Sequence, residues 1–366
     1  MFNKSLVLAL ALALALAFIP ADRTPAADRT PAADRTPAAG RKVYLGLAIN
    51  SIDNEYWNQE VEGGRLFAAT LAAGSIETQI LTNDGDDRKQ IAGLRAFIAE
   101  HGRDAILYVD PSSAANTPAI AKLCEESGVY WTSAWHRAKG LSPLDFRYYV
   151  MHQSVDGVKQ GYDIAVRMFK EFKNPGRGRI LALQGLQSND SAIDRYAGLQ
   201  KALAEYGGVE LLDTAVCDWN PRLALEATEA WLKKFPDFDG IWSANDDMAL
   251  AAVQALKTRG RNRVVKVVGV DGTSAALDAI ETGDLVCTAA NNGHLHGGYG
   301  AAYAYKAWSG EINPEALPRR QRAFYTFSVL VDQAGLGNYR RKFMQNLPDY
   351  DYNDLAFPVG RPMILD

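Results

Sequence analysis

Beginning at Lys42, short uninterrupted apolar runs alternate with segments of helical periodicity. Val43–Ile49, Ile76–Leu81, Ala105–Val109 and Val129–Thr132 are the runs. Between them, residues 57–73, 89–100 and 114–126 place apolar side chains at three- and four-residue spacing. Runs without polar alternation belong to strands covered on both faces, and helical crossovers between them predict a parallel sheet. The pattern then restarts. Strands are expected at 148–151, 179–183, 209–216, 240–243, 264–270 and 285–290, with helices at about 155–172, 192–206, 223–235, 248–259 and 274–282. A single sheet of this many strands would be too wide, so the expected fold class is α/β with two doubly wound parallel-sheet lobes.

The two ends break this rhythm. Lys4 is followed by Ser5–Ile19, which is uncharged and nearly all Leu and Ala, and then by Pro20 and Ala21. A positive start, a short apolar stretch and small residues describe a secretory signal peptide over 1–21; a membrane span needs about 20 apolar residues. Ala-Asp-Arg-Thr-Pro-Ala is then written three times over 21–38, so 22–40 reads as a solvated linker with no apolar face. The last stretch, 334–366, loses the alternation and is acidic, aromatic and punctuated by proline. It is expected to pack on the body through Tyr350, Tyr352 and Phe357.

Composition adds exclusions. The 366 residues carry 39 Lys and Arg against 43 Asp and Glu, a net charge of −4 that is a poor match for nucleic acid. Cys124, Cys217 and Cys287 are too far apart for a zinc motif and too few for a disulfide framework, and they read as small buried side chains. The turn after the first strand, Asn50–Tyr56, has no glycine, which argues against a phosphate-binding loop and a dinucleotide cofactor. Gly63-Gly64 falls inside a helix and reads as a close-packing point. No nucleophile-elbow or metal-helix motif is present, and His294 and His296 are spaced for different helix faces. No enzyme activity, cofactor or metal is expected.

Ligands of doubly wound folds sit beyond the carboxyl ends of the strands. Those positions hold Asn54, Tyr56 and Trp57; Asp110; Trp135 and His136; Arg195, one turn into its helix; Trp219; and Asn245, Asp271 and Asn291. Amides and carboxylates pair with vicinal hydroxyls, and aromatic faces cover the C–H patches of a sugar. Taken singly, Asn54, Asn245 and Asp271 could each be a helix cap and Trp57 and Trp219 could be core.

Four segments together, Asn54-Glu55-Tyr56-Trp57, Leu183-Gln184-Gly185, Asn245-Asp246-Asp247-Met248-Ala249-Leu250 and Val268-Gly269-Val270-Asp271-Gly272-Thr273, resemble type I periplasmic sugar-binding proteins, the solute receptors of ABC importers, over about 43–327. The resemblance implies lobes of 41–151 plus 292–321 and of 152–291 plus 322–333, joined by a three-segment hinge near 151–152, 291–292 and 322–323. It also implies a neutral carbohydrate or polyol as ligand, an inner-membrane ABC permease as partner, a periplasmic location and a monomer. A ligand-presenting receptor for a chemoreceptor or histidine kinase is the alternative. Trp135-His136 stands where ribose and galactose binders carry an Asp-Arg pair, so the resemblance does not carry over a particular sugar.

Overall fold

The computed structural model describes residues 41–345 and 349–363; the expected leader and repeat lie outside them. In chain order the strands are β1 Val43–Ile49, β2 Ile76–Thr82, β3 Ala105–Val109, β4 Tyr130–Ala134, β5 Tyr149–Val155, β6 Arg177–Gln184, β7 Gly208–Val216, β8 Gly240–Ser243, β9 Lys266–Asp271, β10 Cys287–Ala290, β11 Ala323–Thr326, β12 Val329–Asp332 and β13 Arg361–Pro362. The principal helices are α1 Glu55–Ala69, α2 Asp87–His101, α3 Thr117–Ser127, α4 Gly157–Lys170, α5 Asp190–Glu205, α6 Pro221–Lys234, α7 Asp246–Lys257, α8 Ser274–Thr282 and α9 Gly293–Ser309.

Two sheets result. The first runs β13-β11-β5-β4-β3-β1-β2 and the second β12-β10-β9-β8-β6-β7. Pairing is parallel except where β13 meets β11 and β12 meets β10. The order reverses beside β1 in one sheet and beside β6 in the other. Each reversal splays two crossovers to opposite faces and leaves a crevice at the strand ends. The cores are formed as the apolar runs require: β1, β3 and β5 are buried along nearly their whole length. The three cysteines are buried and unpaired.

Gly63, expected as a close-packing point, acts as one, and Gly297 does the same from the other side. A Cβ on Gly63 would come within 2.2 Å of the His294 carbonyl oxygen, and one on Gly297 within 1.7 Å of the Glu60 carbonyl oxygen. Residues far apart in sequence thus bring the backbones of α1 and α9 nearly into contact, which only a missing side chain permits.

One boundary differs from expectation. β5 continues through Val155, and β11 pairs with it from Ala323↔His152 to Thr326↔Val155. Residues 152–155 and 323–326 therefore belong to the first sheet, not the second lobe. His152, Gln153 and Ser154 look like the start of a loop, yet all three are buried and bonded inside the protein. His152 Nδ1 lies 2.8 Å from Ser133 Oγ, and Gln153 Nε2 donates to the His296 carbonyl at 2.7 Å.

The chain after β12 touches both sheets' cores. Leu336 and Tyr339 are buried in the second, and Arg340 pairs with Asp278 and Glu281 of α8. Tyr350, Tyr352 and Leu355 are buried in the first, where Tyr299 and Tyr303 of α9 donate to the carbonyls of Asp351 and Leu355. Phe357 stays half exposed and stacks on Tyr299 at 5.8 Å.

Candidate ligand-binding site

The carboxyl ends of both sheets face one narrow cavity. Each wall is built where a strand stops and a helix starts. Asn54 caps α1, accepting from the backbone N–H groups of Tyr56 and Trp57, and this turns both aromatic residues out of the strand direction. Asn245 caps α7 through the Met248 N–H at 3.0 Å. For these two residues the cap and the cavity wall are one arrangement. Asp271 is not a cap, because Thr273 fills that role for α8.

Four described non-glycine residues in and beside the wall have left-handed backbone: Trp135 (φ 63°), Asp218 (φ 51°), Trp219 (φ 63°) and Asp271 (φ 127°). Such conformations cost on the order of 1 kcal/mol or more each and persist only where the surroundings hold them. Trp219 is held from three sides. Its indole N–H donates to Asn189 Oδ1 at 2.7 Å, and the Arg195 guanidinium lies 5.8 Å from its ring. Below it is Gly185, where a Cβ would come within 2.1 Å of the ring.

Arg195 is buried between two tryptophans, with the Trp135 ring 5.4 Å away on the other side. It donates to the Ala244 carbonyl at 2.8 Å and approaches Asp271 Oδ1 at 3.5 Å. Opposite, the Trp57 indole N–H donates to Asp110 Oδ2 at 3.0 Å, and His136 Nε2 is 4.0 Å from Asp110 Oδ1. Burial, reinforced by Glu60, lifts the Asp110 carboxyl well above its ordinary range. Burial also lifts Asp271, against the pull of Arg195. The His136 imidazole is pushed down to about 3 by burial and then by Arg195, so it is neutral at neutral pH. Asn50 Oδ1, Asp110 Oδ1, His136 Nδ1 and Arg195 Nε have no hydrogen-bond partner among the described residues. The wall thus offers donors and acceptors together, flanked by aromatic faces. Hydroxyl groups, which do both, fit such a wall.

Direct bonds also close the cleft. Asn54 Nδ2 donates to Asp247 Oδ2 at 2.7 Å, Asn189 Nδ2 to the Ser112 carbonyl at 3.1 Å, and the Ser274 N–H and hydroxyl to Glu55 at 3.0 and 2.8 Å.

A family model described as periplasmic binding protein domain matches residues 45–312. The chain belongs to this family. Among periplasmic binding proteins and their relatives, it is 36% identical to the xylitol-binding protein of Mycolicibacterium smegmatis, over 65% of this chain and 66% of that one. It is 24% identical to the ribose import binding protein of Haemophilus influenzae, over 75% of this chain and 88% of that one. The crystal structure of a twin-arginine translocation pathway signal protein from Burkholderia phytofirmans superposes with a TM-score of 0.83 at 33% identity, covering 88% of this chain and 99% of its own.

In this periplasmic binding protein the cavity gathers Asn54, Tyr56, Trp57, Asp110, Trp135, His136, Arg195, Trp219, Asn245 and Asp271. Asn291 is placed differently from expectation. It lies behind Asp271, donating to it at 3.1 Å and accepting from Gln160 at 2.6 Å, because it ends the same sheet edge one strand over. Asn50, Asn189 and Ser191 line the cavity without having been singled out. Asn50 and Asn189 occupy the same strand-end loops as the chosen residues, so the strand-end rule alone could have flagged them. Glu60 was missed as well. It lies one helical turn beyond Tyr56, is buried, and accepts from the Trp135 indole at 3.2 Å.

Proposed function

We propose that this protein captures a small neutral sugar or sugar alcohol between two closing lobes and delivers it to an inner-membrane ABC permease. The observation that carries this reading is the cavity wall itself. Carboxyls lifted by burial, a neutral imidazole and unpartnered amide and guanidinium atoms stand beside Trp57, Trp135 and Trp219. A ligand ion would give up its water among buried groups that already face one another, Arg195 beside Asp271 and His136 beside Asp110, whereas a polyol satisfies donors and acceptors alike. Identity to a xylitol-binding protein supports the polyol end of the class. The bonds across the cleft favour closure once ligand contacts from both walls are added. Binding and release complete the cycle, with no bond made or broken, and the protein acts as a monomer. Export through a leader cleaved near residue 21 would place it in the periplasm, and the ligand-binding residues are those at the strand ends.

A thermal-shift screen over pentoses, hexoses, linear polyols and cyclitols tests the proposal. A ligand at 100 times its Kd that binds only the folded state adds about 2.7 kcal/mol of stability, a readily measured rise in Tm. No response across the set refutes it.

A further inference from the structure

We propose that His296 is a positioning residue that ties the ligand cavity to the chain crossings between the lobes, so that breaking its ring bonds speeds ligand release. The inference rests on the binding role proposed above.

His296 is buried at the end of the first turn of α9, outside the cavity wall. Its Nδ1 lies 2.6 Å from the hydroxyl of Tyr56, which is on that wall. Its Nε2 lies 2.7 Å from Thr326 Oγ1, at the last residue of β11. Thr326 in turn donates its one hydroxyl proton to the Ser154 carbonyl at 3.2 Å. Thr326 must therefore accept from Nε2–H, which leaves Nδ1 facing the Tyr56 hydroxyl. The His296 carbonyl accepts from Gln153 of β5. A return path closes the ring: Ser154 Oγ donates to the Trp135 carbonyl at 3.3 Å, and the Trp135 indole donates to Glu60, whose Oε1 is 3.8 Å from His296 Nδ1.

The positions of these partners give the ring its meaning. β5 ends at Val155, just before the chain enters α4 beside the second sheet. β11 ends at Thr326, just before β12 joins that sheet. α9 begins at Gly293, just after the chain leaves β10 of the second sheet. His296 therefore bonds β11 directly through its ring and β5 through its carbonyl and, by way of the Thr326 hydroxyl, Ser154, and it rides on the helix that follows the third crossing. On its other side the ring meets two cavity residues, Tyr56 and Trp135. A shift of Tyr56 on ligand contact is felt at the crossings, and a change at the crossings moves Tyr56 and Trp135.

The experiment is stopped-flow tryptophan fluorescence on the full chain with xylitol, D-ribose and myo-inositol as probes, since Trp57, Trp135 and Trp219 report from the cavity. His296→Phe, His296→Gln, Thr326→Val and the double variant H296F/T326V are compared with the parent. For the probe that binds the parent, release is expected to accelerate about tenfold in H296F and in T326V, with association changed less than twofold. The double variant should release no faster than the faster single one, and H296Q, which keeps a donor and an acceptor, should recover part of the loss. Melting temperatures are read in parallel, because a purely structural role would lower them and leave release unchanged. Release within twofold of the parent in H296F or T326V overturns the proposal, as do effects that multiply in the double variant. If H296F fails to fold, T326V decides alone. Should none of the three probes bind the parent, the function proposal is decided by the wider thermal-shift set. Hydrogen exchange then decides the relay: T326V must raise exchange both at the start of α1 and at 153–155, and unchanged protection at either place overturns it.

Discussion

Replacing Trp219 separates ligand contact from backbone strain at one position. Trp219→Ala removes the ring that faces the cavity, its bond to Asn189 and the stacking on Arg195. A tryptophan at the centre of an interface is worth about 2 kcal/mol or more, and the lost cation–π contact adds about 0.5–1 kcal/mol. Because Asn189 also bridges to Ser112, its loosening weakens closure in the same direction. The sum, about 2.5–3 kcal/mol, predicts binding weaker by roughly 70- to 150-fold in calorimetric titration. The backbone provides a second arm. With φ at 63°, alanine retains the left-handed penalty that tryptophan has, while glycine does not. Trp219→Gly should therefore bind as poorly as Trp219→Ala but melt at or above it. Affinity of Trp219→Ala within threefold of the parent would refute the site. A glycine variant melting clearly below the alanine variant would refute the strain argument.

Gly185→Ala should weaken binding about tenfold, since its Cβ would meet the Trp219 ring at 2.1 Å; in a Trp219→Gly background the same change should have little further effect on affinity. Asp194 is pushed up to about 6 by burial, then by Asp190 and Asp156, against Arg195. Its contribution to stability is full below the unfolded value of about 3.9 and is lost as pH rises through about 6. Asp194→Asn should thus melt above the parent at pH 8, the gap closing by about pH 4; a gap independent of pH would contradict this.

The runs Val43–Ile49 and Ala105–Val109 were legible because burial on both faces leaves no polar interruption, and their ends pointed directly at Asn54 and Asp110. What hid the true crossings was polar chemistry inside the fold. His152, Gln153 and Ser154 carry no apolar signal, yet they complete β5 by bonding to Ser133, to the His296 carbonyl and to the Trp135 carbonyl. β11 was equally silent, because its partner strand lies some 170 residues earlier, beyond the reach of local pattern. Asn291 fails for a finer reason. Strand-end position is read from sequence, but whether a side chain faces the cavity or the residue in front of it depends on Asp271 one strand away.

The glycine-mediated contact of α1 with α9 also fixes an order of events during folding. The second sheet draws β6 to β10 from one continuous stretch, 177–290, and lacks only β12. The first sheet begins the chain, but α1 has no partner backbone until residues 293–297 exist, and β5 stays an edge until 323–326 arrive. Contacts so distant in sequence close late, since the loop entropy must be overcome before they contribute. The half that emerges first is therefore the last able to finish. During that interval an apolar helix face and an open strand edge remain uncovered, and the chain is most exposed to aggregation.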